Sequence, residues 1–338
     1  MPRHLLFITN TRIGDAVLST GILDALLRDD PALSVTVATG PLPAQLFEAT
    51  PRLERIIALT KRPRGGHWVD LWKMVAGTRW HRVVDLRRSL MPWMVWARHR
   101  HSVGGDSRHA ENGQPKHRVV LNAEAIGRGA CPPAPVLWTR PKDEAAADSL
   151  LAGVSGAAAG APVLAVAPTA NWRGKEWPAD RWVALLDRLT GTDGPLADAP
   201  VAVLAGPSEQ EAVAPVLAAV PEDRRIDLTR GAHLLTIAAL LRRCRLFIGN
   251  DSGLMHIAAS SGAPTVGLFG PTDERRYGPW GAGNSVVRTP EDFEHWRRIM
   301  VAPGFDSRTT PSLMTSLTVD AVAAEAERLL EGDRLPVA

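Results

Sequence analysis

GNDSGLMHIAASSGAPTVGLFGPTDERRYGPWG, residues 249–281, leaves an apolar run through Asp251, Ser252 and Gly253, enters a helix-forming segment, and returns to a second apolar run closed by Gly270-Pro271-Thr272. A strand that yields to a helix in this way presents the helix's first backbone N–H groups without intrahelical partners, at the positive end of its dipole. Such a place suits an anion. The plainer alternative is that Asp251 or Ser252 caps the helix. Capping leaves His256 unexplained, four residues after Ser252 and therefore on the same helical face. It also leaves unexplained the Gly267, Gly270, Pro271, Thr272 segment, which departs from the next strand at the same sheet edge.

Strand–helix alternation extends in both directions from this stretch. Upstream, PVLAVAP (162–168), a helix from Pro178 to about Leu189, VAVLAG (201–206) and a helix after Ser208 lead to LFIGN (246–250). Nearer the N-terminus, HLLFIT (4–9) and an amphipathic helix precede SVTVAT (34–39), RIIAL (55–59), a Trp-rich helix at 67–78, RVVDL (82–86) and a helical stretch at about 89–99. Apolar strands alternating with helical periods predict doubly wound parallel sheets. At 338 residues the chain exceeds one ordinary core, which predicts two domains. The charged and then Ala/Gly-rich KDEAAADSLLAGVSGAAAGAP (142–162) sets the boundary, giving domains at 1–150 and 151–315. The remainder, 316–338, reads as a helix closing back toward the first domain, with the irregular 290–316 crossing over to it.

The composition excludes several classes. Hydrophobic residues at 45% and charged residues at 22% describe an ordinary globular chain. A net charge of +3 is too mild to imply nucleic acid. Two cysteines, Cys131 and Cys244, allow neither a disulfide framework nor a Cys-rich metal site and fit a reducing cytoplasm. No apolar run approaches the roughly 20 residues needed to cross a bilayer, so membrane contact is expected to be peripheral.

Three further constellations carry chemistry. In APTANWRGKEWPADRW (167–182), flexible polar residues follow a strand, and Lys175 can meet a phosphate as a point charge, or stand as a solvated lysine. In LAGPSEQE (204–211), Glu209 follows a strand and can take the two hydroxyls of a ribose, or merely complement a helix dipole. In TNTRIGDAVLST (9–20), Gly14 is expected to make a turn and Asp15 to stand at a helix N-terminus. There the dipole and Arg12 favour the ionised carboxylate, a state that serves a cap or a general base.

RIGDAVLSTGIL, APTANWRGKEWPADRWVALL, LAGPSEQE and FIGNDSGLMHIAASSGAPTVGLFGPTDERRYGP, in that order, resemble glycosyltransferase family 9, the ADP-heptose:lipopolysaccharide heptosyltransferases. The resemblance spans nearly the whole chain and is most specific in the last stretch. It implies a GT-B fold of two Rossmann-like doubly wound domains facing a central cleft, and an inverting, metal-independent transfer with no cofactor beyond an ADP-sugar donor. By position, Asp15 becomes the general base and Lys175 faces the donor's diphosphate and sugar. Glu209 would hold the ribose, with Ala170, Asn171, Asp251, Ser252, Gly253 and His256 completing the donor site. One departure falls at Ala170-Asn171, where heptosyltransferases that add the first core heptose carry two threonines.

The acceptor implied is an anionic glycolipid, lipid A–Kdo or a heptosylated core, at the inner face of the inner membrane. TKRPRGGHWVDLWK (60–73) and DLRRSLMPWMVWARHRH (85–101) match it: Lys61, Arg62, Arg64, Arg87 and Arg88, with Arg12, can pair with anions. Trp68, Trp72, Trp93 and Trp96 can sit at the headgroup level, or be ordinary core. Other readings remain open at this stage: the same family acting on another sugar or glycan, a sugar-nucleotide epimerase of the same architecture, or a non-enzymatic anion-binding protein. A nicotinamide dehydrogenase is disfavoured, because TNTRIG lacks the spaced glycines of the dinucleotide fingerprint.

Overall fold

Eleven parallel strands, almost all apolar where they lie inside a sheet, organise the computed structural model, which describes residues 3–104, 113–154 and 161–332. The chain divides into two units, Met1–Arg140 and Pro141–Ala338. The first contains β1 (Arg3–Ile8), α1 (Ile13–Val17), α2 (Thr20–Asp29), β2 (Leu33–Thr39), β3 (Leu53–Ala58) and α3 (Gly66–Val75). It continues with β4 (Trp80–Asp85), α4 (Met91–Met94), β5 (Ala97–Ser102) and α5 (Arg118–Glu124). Its sheet has the order β3-β2-β1-β4-β5, every pair parallel. The order reverses between β1 and β4, so the loops leaving those two strands open a crevice at the carboxyl edge.

The second unit runs α6 (Pro141–Ala152), β6 (Val163–Ala167), α7 (Ala179–Thr190), β7 (Val201–Leu204), α8 (Gln210–Ala219), β8 (Arg225–Leu228), α9 (Leu234–Leu241) and β9 (Cys244–Asn250). There follow α10 (Gly253–Ser261), β10 (Thr265–Phe269), α11 (Glu274–Tyr277), β11 (Asn284–Arg288), α12 (Phe293–Met300) and α13 (Val319–Gly332). The order β11-β10-β9-β6-β7-β8 is again wholly parallel and reverses between β6 and β9. Strands β6, β9 and β10 are buried on both faces, as continuous runs such as VLAVA and TVGLF require.

Several sequence expectations are corrected. The division falls at the start of α6 rather than after residue 150. Helix α6 belongs to the second unit because Glu144 holds Arg242 at 2.8 Å and Arg243 at 2.6 Å, from the end of α9. The Ala/Gly-rich connection after α6 lies at 155–160, outside the described residues. Helix α13 belongs to the second unit, where Val322, Ala323, Ala326 and Leu330 are buried in the core with Leu185 and Leu246. The segment before it is tied to the same unit, Leu313 N–H donating to Gly174 O at 3.0 Å. The helix expected at 89–99 is a single turn, α4, followed by the edge strand β5. Gly14 makes no turn and lies inside α1.

Both cysteines are free, and burial pushes the Cys244 thiol up to about 12, leaving it unreactive. Among the described residues no helix is long and apolar enough to cross a membrane.

Candidate functional site

The second unit's order reversal brings the loops after β6 and β9 together, and three consecutive residues at the end of β9 define what they form. Asn250, wholly buried, donates from Nδ2 to Pro168 O at 2.7 Å and accepts from Trp177 N at 3.3 Å. It thereby closes both ends of the β6 loop onto β9. Asp251, 6% exposed, accepts from Lys175 Nζ at 2.7 Å. Ser252 is the N-cap residue of α10, yet its side chain makes no cap hydrogen bond, and its Oγ is buried without a partner. Neither Asp251 nor Ser252 caps the helix, so the plainer sequence reading fails. The first amides of α10 stay uncapped beside an ammonium and an unused hydroxyl, an arrangement suited to an anion with several acceptor oxygens.

The β6 loop is held firmly for a loop. Residues 173–175 form one 3-10 turn, Trp177 is 2% exposed, and its Nε1 donates to Leu317 O at 2.9 Å. Ser312 Oγ donates to Glu176 O. The segment before α13 thus braces the loop that carries Lys175. Lys175 is not a solvated lysine: its side chain is 17% exposed. Asp251 orients it with one acceptor, leaving ammonium hydrogens for a second anion.

Glu209 does not act as a dipole carboxylate. Although it is the N-cap residue of α8, it makes no cap bond, and Oε2 instead accepts from Gly206 N at 2.8 Å and Thr169 Oγ1 at 2.6 Å. This fixes the carboxylate at the ends of β6 and β7. Nearby Glu176 accepts from Ala170 N at 3.1 Å, and burial, aided by the Glu209 charge, raises its pKa above the usual glutamate value. Ala170 is buried with its amide engaged in this way, so it shapes the site, while Asn171 is exposed. His256 is buried within α10, one turn beyond Ser252. Gly267 proves to be a packing residue inside β10: a Cβ there would stand 2.7 Å from Met255 Sδ. Gly270 likewise makes room for Met314, whose Sδ would collide with a Cβ there.

The first unit has its own site at its order reversal. A cavity of about 370 Å³ is lined by Asn10 after β1, by Arg87 and Arg88 after β4, and by Arg118 and Leu121 of α5. Three of its linings carry buried N–H groups without a hydrogen bond: Asn10 Nδ2, Arg87 Nη1 and Arg118 Nε. Buried donors left without hydrogen bonds are costly, and guanidinium donors most of all, so the cavity's chemistry suits an oxyanion. The β4 loop is fixed by Asp85, wholly buried, which accepts from Arg87 N at 2.8 Å and from both Ser89 N and Ser89 Oγ at 2.6 Å. Burial lowers the pKa of the Arg87 guanidinium, with the Asp85 charge opposing. Arg88 adopts φ 56°, a left-handed conformation that a non-glycine residue holds only where its surroundings impose it.

Asp15 lies in α1 beside this cavity. It is not a cap, since the N-cap residue is Arg12, and its charged neighbour is not Arg12 but Arg118, with Nε 3.6 Å from Oδ1. Arg12 is exposed and does not line the cavity. Of the other expected anion partners, Lys61, Arg62 and Arg64 sit exposed before α3, and Arg62 is engaged by Asp70 at 2.6 Å. Only Arg87 and Arg88 of that set join the cavity. Sequence reading missed Asn10 and Arg118. Asn10 carried a signal, because it follows the first strand as Asp251 follows β9; Arg118, far from any of the motifs, carried none.

These two crevices define a chain of two Rossmann-like units, each with polar groups gathered where the strand order reverses. The sequence model of glycosyltransferase family 9 (heptosyltransferase) matches residues 68–298, and the chain belongs to that family. It is 28% identical over 135 residues to lipooligosaccharide heptosyltransferase 2 of Haemophilus influenzae, 38% of this chain and 37% of that one. The curated relatives are matched over about half of their length or less. Among solved structures, a family 9 glycosyltransferase of Veillonella parvula superposes with a TM-score of 0.76 at 21% identity, covering 98% of this chain and 97% of that one. ADP-heptose lps heptosyltransferase II of E. coli gives 0.73 at 21% identity, covering 98% and 100%. The fold is GT-B.

Proposed function

We propose that the protein transfers a heptose from ADP-heptose to a hydroxyl of an anionic lipopolysaccharide inner-core acceptor, with inversion at the anomeric carbon and without a metal ion. The observation that carries this reading is the Lys175–Asp251 pair set beside the uncapped start of α10. Breaking the bond from the sugar to ADP leaves negative charge on the departing diphosphate and positive charge on the sugar ring. Lys175, the amides of Gly253 and Leu254, and Ser252 Oγ are donors fixed before reaction, which is how electrostatic stabilisation acts without reorganisation. Glu209 holds the ribose through its remaining carboxylate oxygen, and His256 lines the sugar side. Asp15 removes the acceptor hydroxyl's proton as that oxygen bonds to the anomeric carbon and ADP leaves with the bonding electron pair.

The acceptor's charge finds a counterpart in the first unit's cavity, where Asn10 Nδ2, Arg87 Nη1 and Arg118 Nε, none of them hydrogen-bonded, can meet a carboxylate or phosphate. Such an acceptor, made on the cytoplasmic face of a membrane, calls for a protein that works at that surface. The test is direct transfer. Purified protein is incubated with ADP-heptose and either a Kdo-bearing or a heptosylated core acceptor, with and without EDTA, and products are weighed by mass spectrometry. One acceptor gaining a single heptose at an EDTA-insensitive rate is expected. Transfer of a different sugar would retain the class and replace the donor; loss of transfer with EDTA would remove Lys175 as the counter-charge to the leaving group.

A further inference from the structure

A ribose presents two neighbouring hydroxyls, and Glu209 has one oxygen left to offer them. Its Oε2 is taken twice, by Gly206 N at 2.8 Å and by Thr169 Oγ1 at 2.6 Å, which fills both lone-pair directions. Gly206 permits this approach, since a Cβ there would lie 3.2 Å from the same oxygen. Oε1 remains, with no hydrogen bond from any described residue. The second hydroxyl needs a second acceptor, because a polar group shielded from water without a partner costs affinity.

Glu176 stands where that acceptor is required. Its Oε1 accepts from the N–H of Ala170, the residue directly after Thr169, so two half-buried carboxylates hang from consecutive residues of the β6 loop. Oε2 of Glu176 takes no hydrogen bond from any described residue. The two groups feel one another: burial and the Glu209 charge raise the Glu176 carboxyl, against the Ala170 N–H and the Arg173 charge. Carboxylates set so close together are relieved by a ligand that brings one O–H donor to each. The backbone that carries Glu176 is clamped on every side. Its N–H donates to Arg173 O at 3.0 Å, its carbonyl accepts from Ser312 Oγ, and the next N–H, of Trp177, donates to Asn250 Oδ1 at 3.3 Å. The side chain is therefore placed before a ligand arrives. Asp251, the other carboxylate at these loops, is committed to Lys175.

We propose that Glu176 is a second ribose-binding residue: its Oε2 takes one hydroxyl of the nucleoside's vicinal diol and Glu209 Oε1 takes the other, which selects ribonucleoside over deoxyribonucleoside diphosphates. This role rests on the nucleotide-sugar reading of the crevice and adds to it the residue that sets sugar selectivity. The test is calorimetry of the full chain with ADP, 2′-deoxy-ADP and 3′-deoxy-ADP. Each deoxynucleotide should bind the wild type about tenfold more weakly than ADP. Glu176→Ala should bind one of the two as tightly as it binds ADP and keep the penalty for the other, and Glu209→Ala should show the reverse. A Glu176 that only braces the loop would weaken all three nucleotides alike in Glu176→Ala and leave both penalties in place, which would overturn the proposal. The wild type also decides without any variant: a penalty at one hydroxyl alone, or at neither, overturns it. Heptose transfer by a wild type that binds the three nucleotides equally would remove Glu176 from the ribose and keep the transfer reading. The expected penalties in a chain that transfers no heptose would do the opposite, and a wild type that binds none of the three would overturn both.

Discussion

Lys175 Nζ lies 2.7 Å from Asp251 Oδ2, and the pair ties the loop after β6 to the loop after β9, the two strands between which the second sheet reverses its order. The two side chains are 17% and 8% exposed, so the contact is shielded enough to matter yet open enough for an ammonium to meet a ligand. Asp251 is thus less a ligand in its own right than the group that aims Lys175.

Removing Lys175 leaves Asp251 unpaired in a shielded place. Lys175→Ala is expected to cost about 1–3 kcal/mol of stability, and Lys175→Ala/Asp251→Ala to recover part of it. Both variants should bind ADP more weakly, and transfer should fall by about 10²–10³ in kcat/KM. Urea unfolding and calorimetry with ADP measure the two effects separately. Strictly additive stability losses would show that the pair is not coupled.

Asp15→Asn keeps the shape of the carboxylate and removes its basicity. With acceptor saturating, kcat is expected to fall by roughly 10²–10⁴, the usual contribution of a positioned base, while ADP affinity stays at the wild-type value. An unchanged kcat would take Asp15 out of the proton transfer.

The β–α alternation was legible because inner strands such as VLAVA and TVGLF are apolar throughout and their helices are periodic. Strand β5, ARHRHS, was not: it is an edge strand with an exposed face, so neither apolar alternation nor length betrays it. The residues gathered at the second unit's crevice were readable from short motifs, since Asp251 and Ser252 come straight after β9 and Glu209 lies in the loop after β7. What the motifs withheld was which partner each side chain takes. Asp251 and Ser252 look like caps in one dimension, and only the return of the 168–177 loop shows Asp251 committed to Lys175. Arg118 reaches Asp15 across about a hundred residues of chain, a relationship set by where α5 packs rather than by any local pattern.

The first unit's cavity offers a way to separate acceptor binding from chemistry. Arg87→Gln removes a guanidinium whose Nη1 lacks a hydrogen-bond partner and which does not pair with Asp15, so the KM for the acceptor should rise roughly 10–100-fold with kcat nearly constant. Arg118→Gln removes both a cavity donor and the neighbour of Asp15, so it should raise KM and alter kcat as well. Inorganic phosphate should compete with acceptor in the wild type and lose that effect in both variants. Competition of phosphate with the donor alone would place the anion elsewhere.

Glu176 supplies a pH signature that does not depend on knowing the substrate. Burial and the Glu209 charge raise its carboxyl above the ordinary glutamate value of 4.5 in the folded chain. The folded state therefore holds a proton that the unfolded chain has released. Its contribution is fully present below pH 4.5 and is lost as pH rises through the higher folded-state value. Glu176→Gln stays uncharged and can still accept from Ala170 N, so its melting temperature relative to wild type should climb across that window and level off above it. A difference that is constant from pH 4 to pH 8 would show that Glu176 ionises alike in both states, and that the carboxylates at the ends of β6 and β7 do not repel one another.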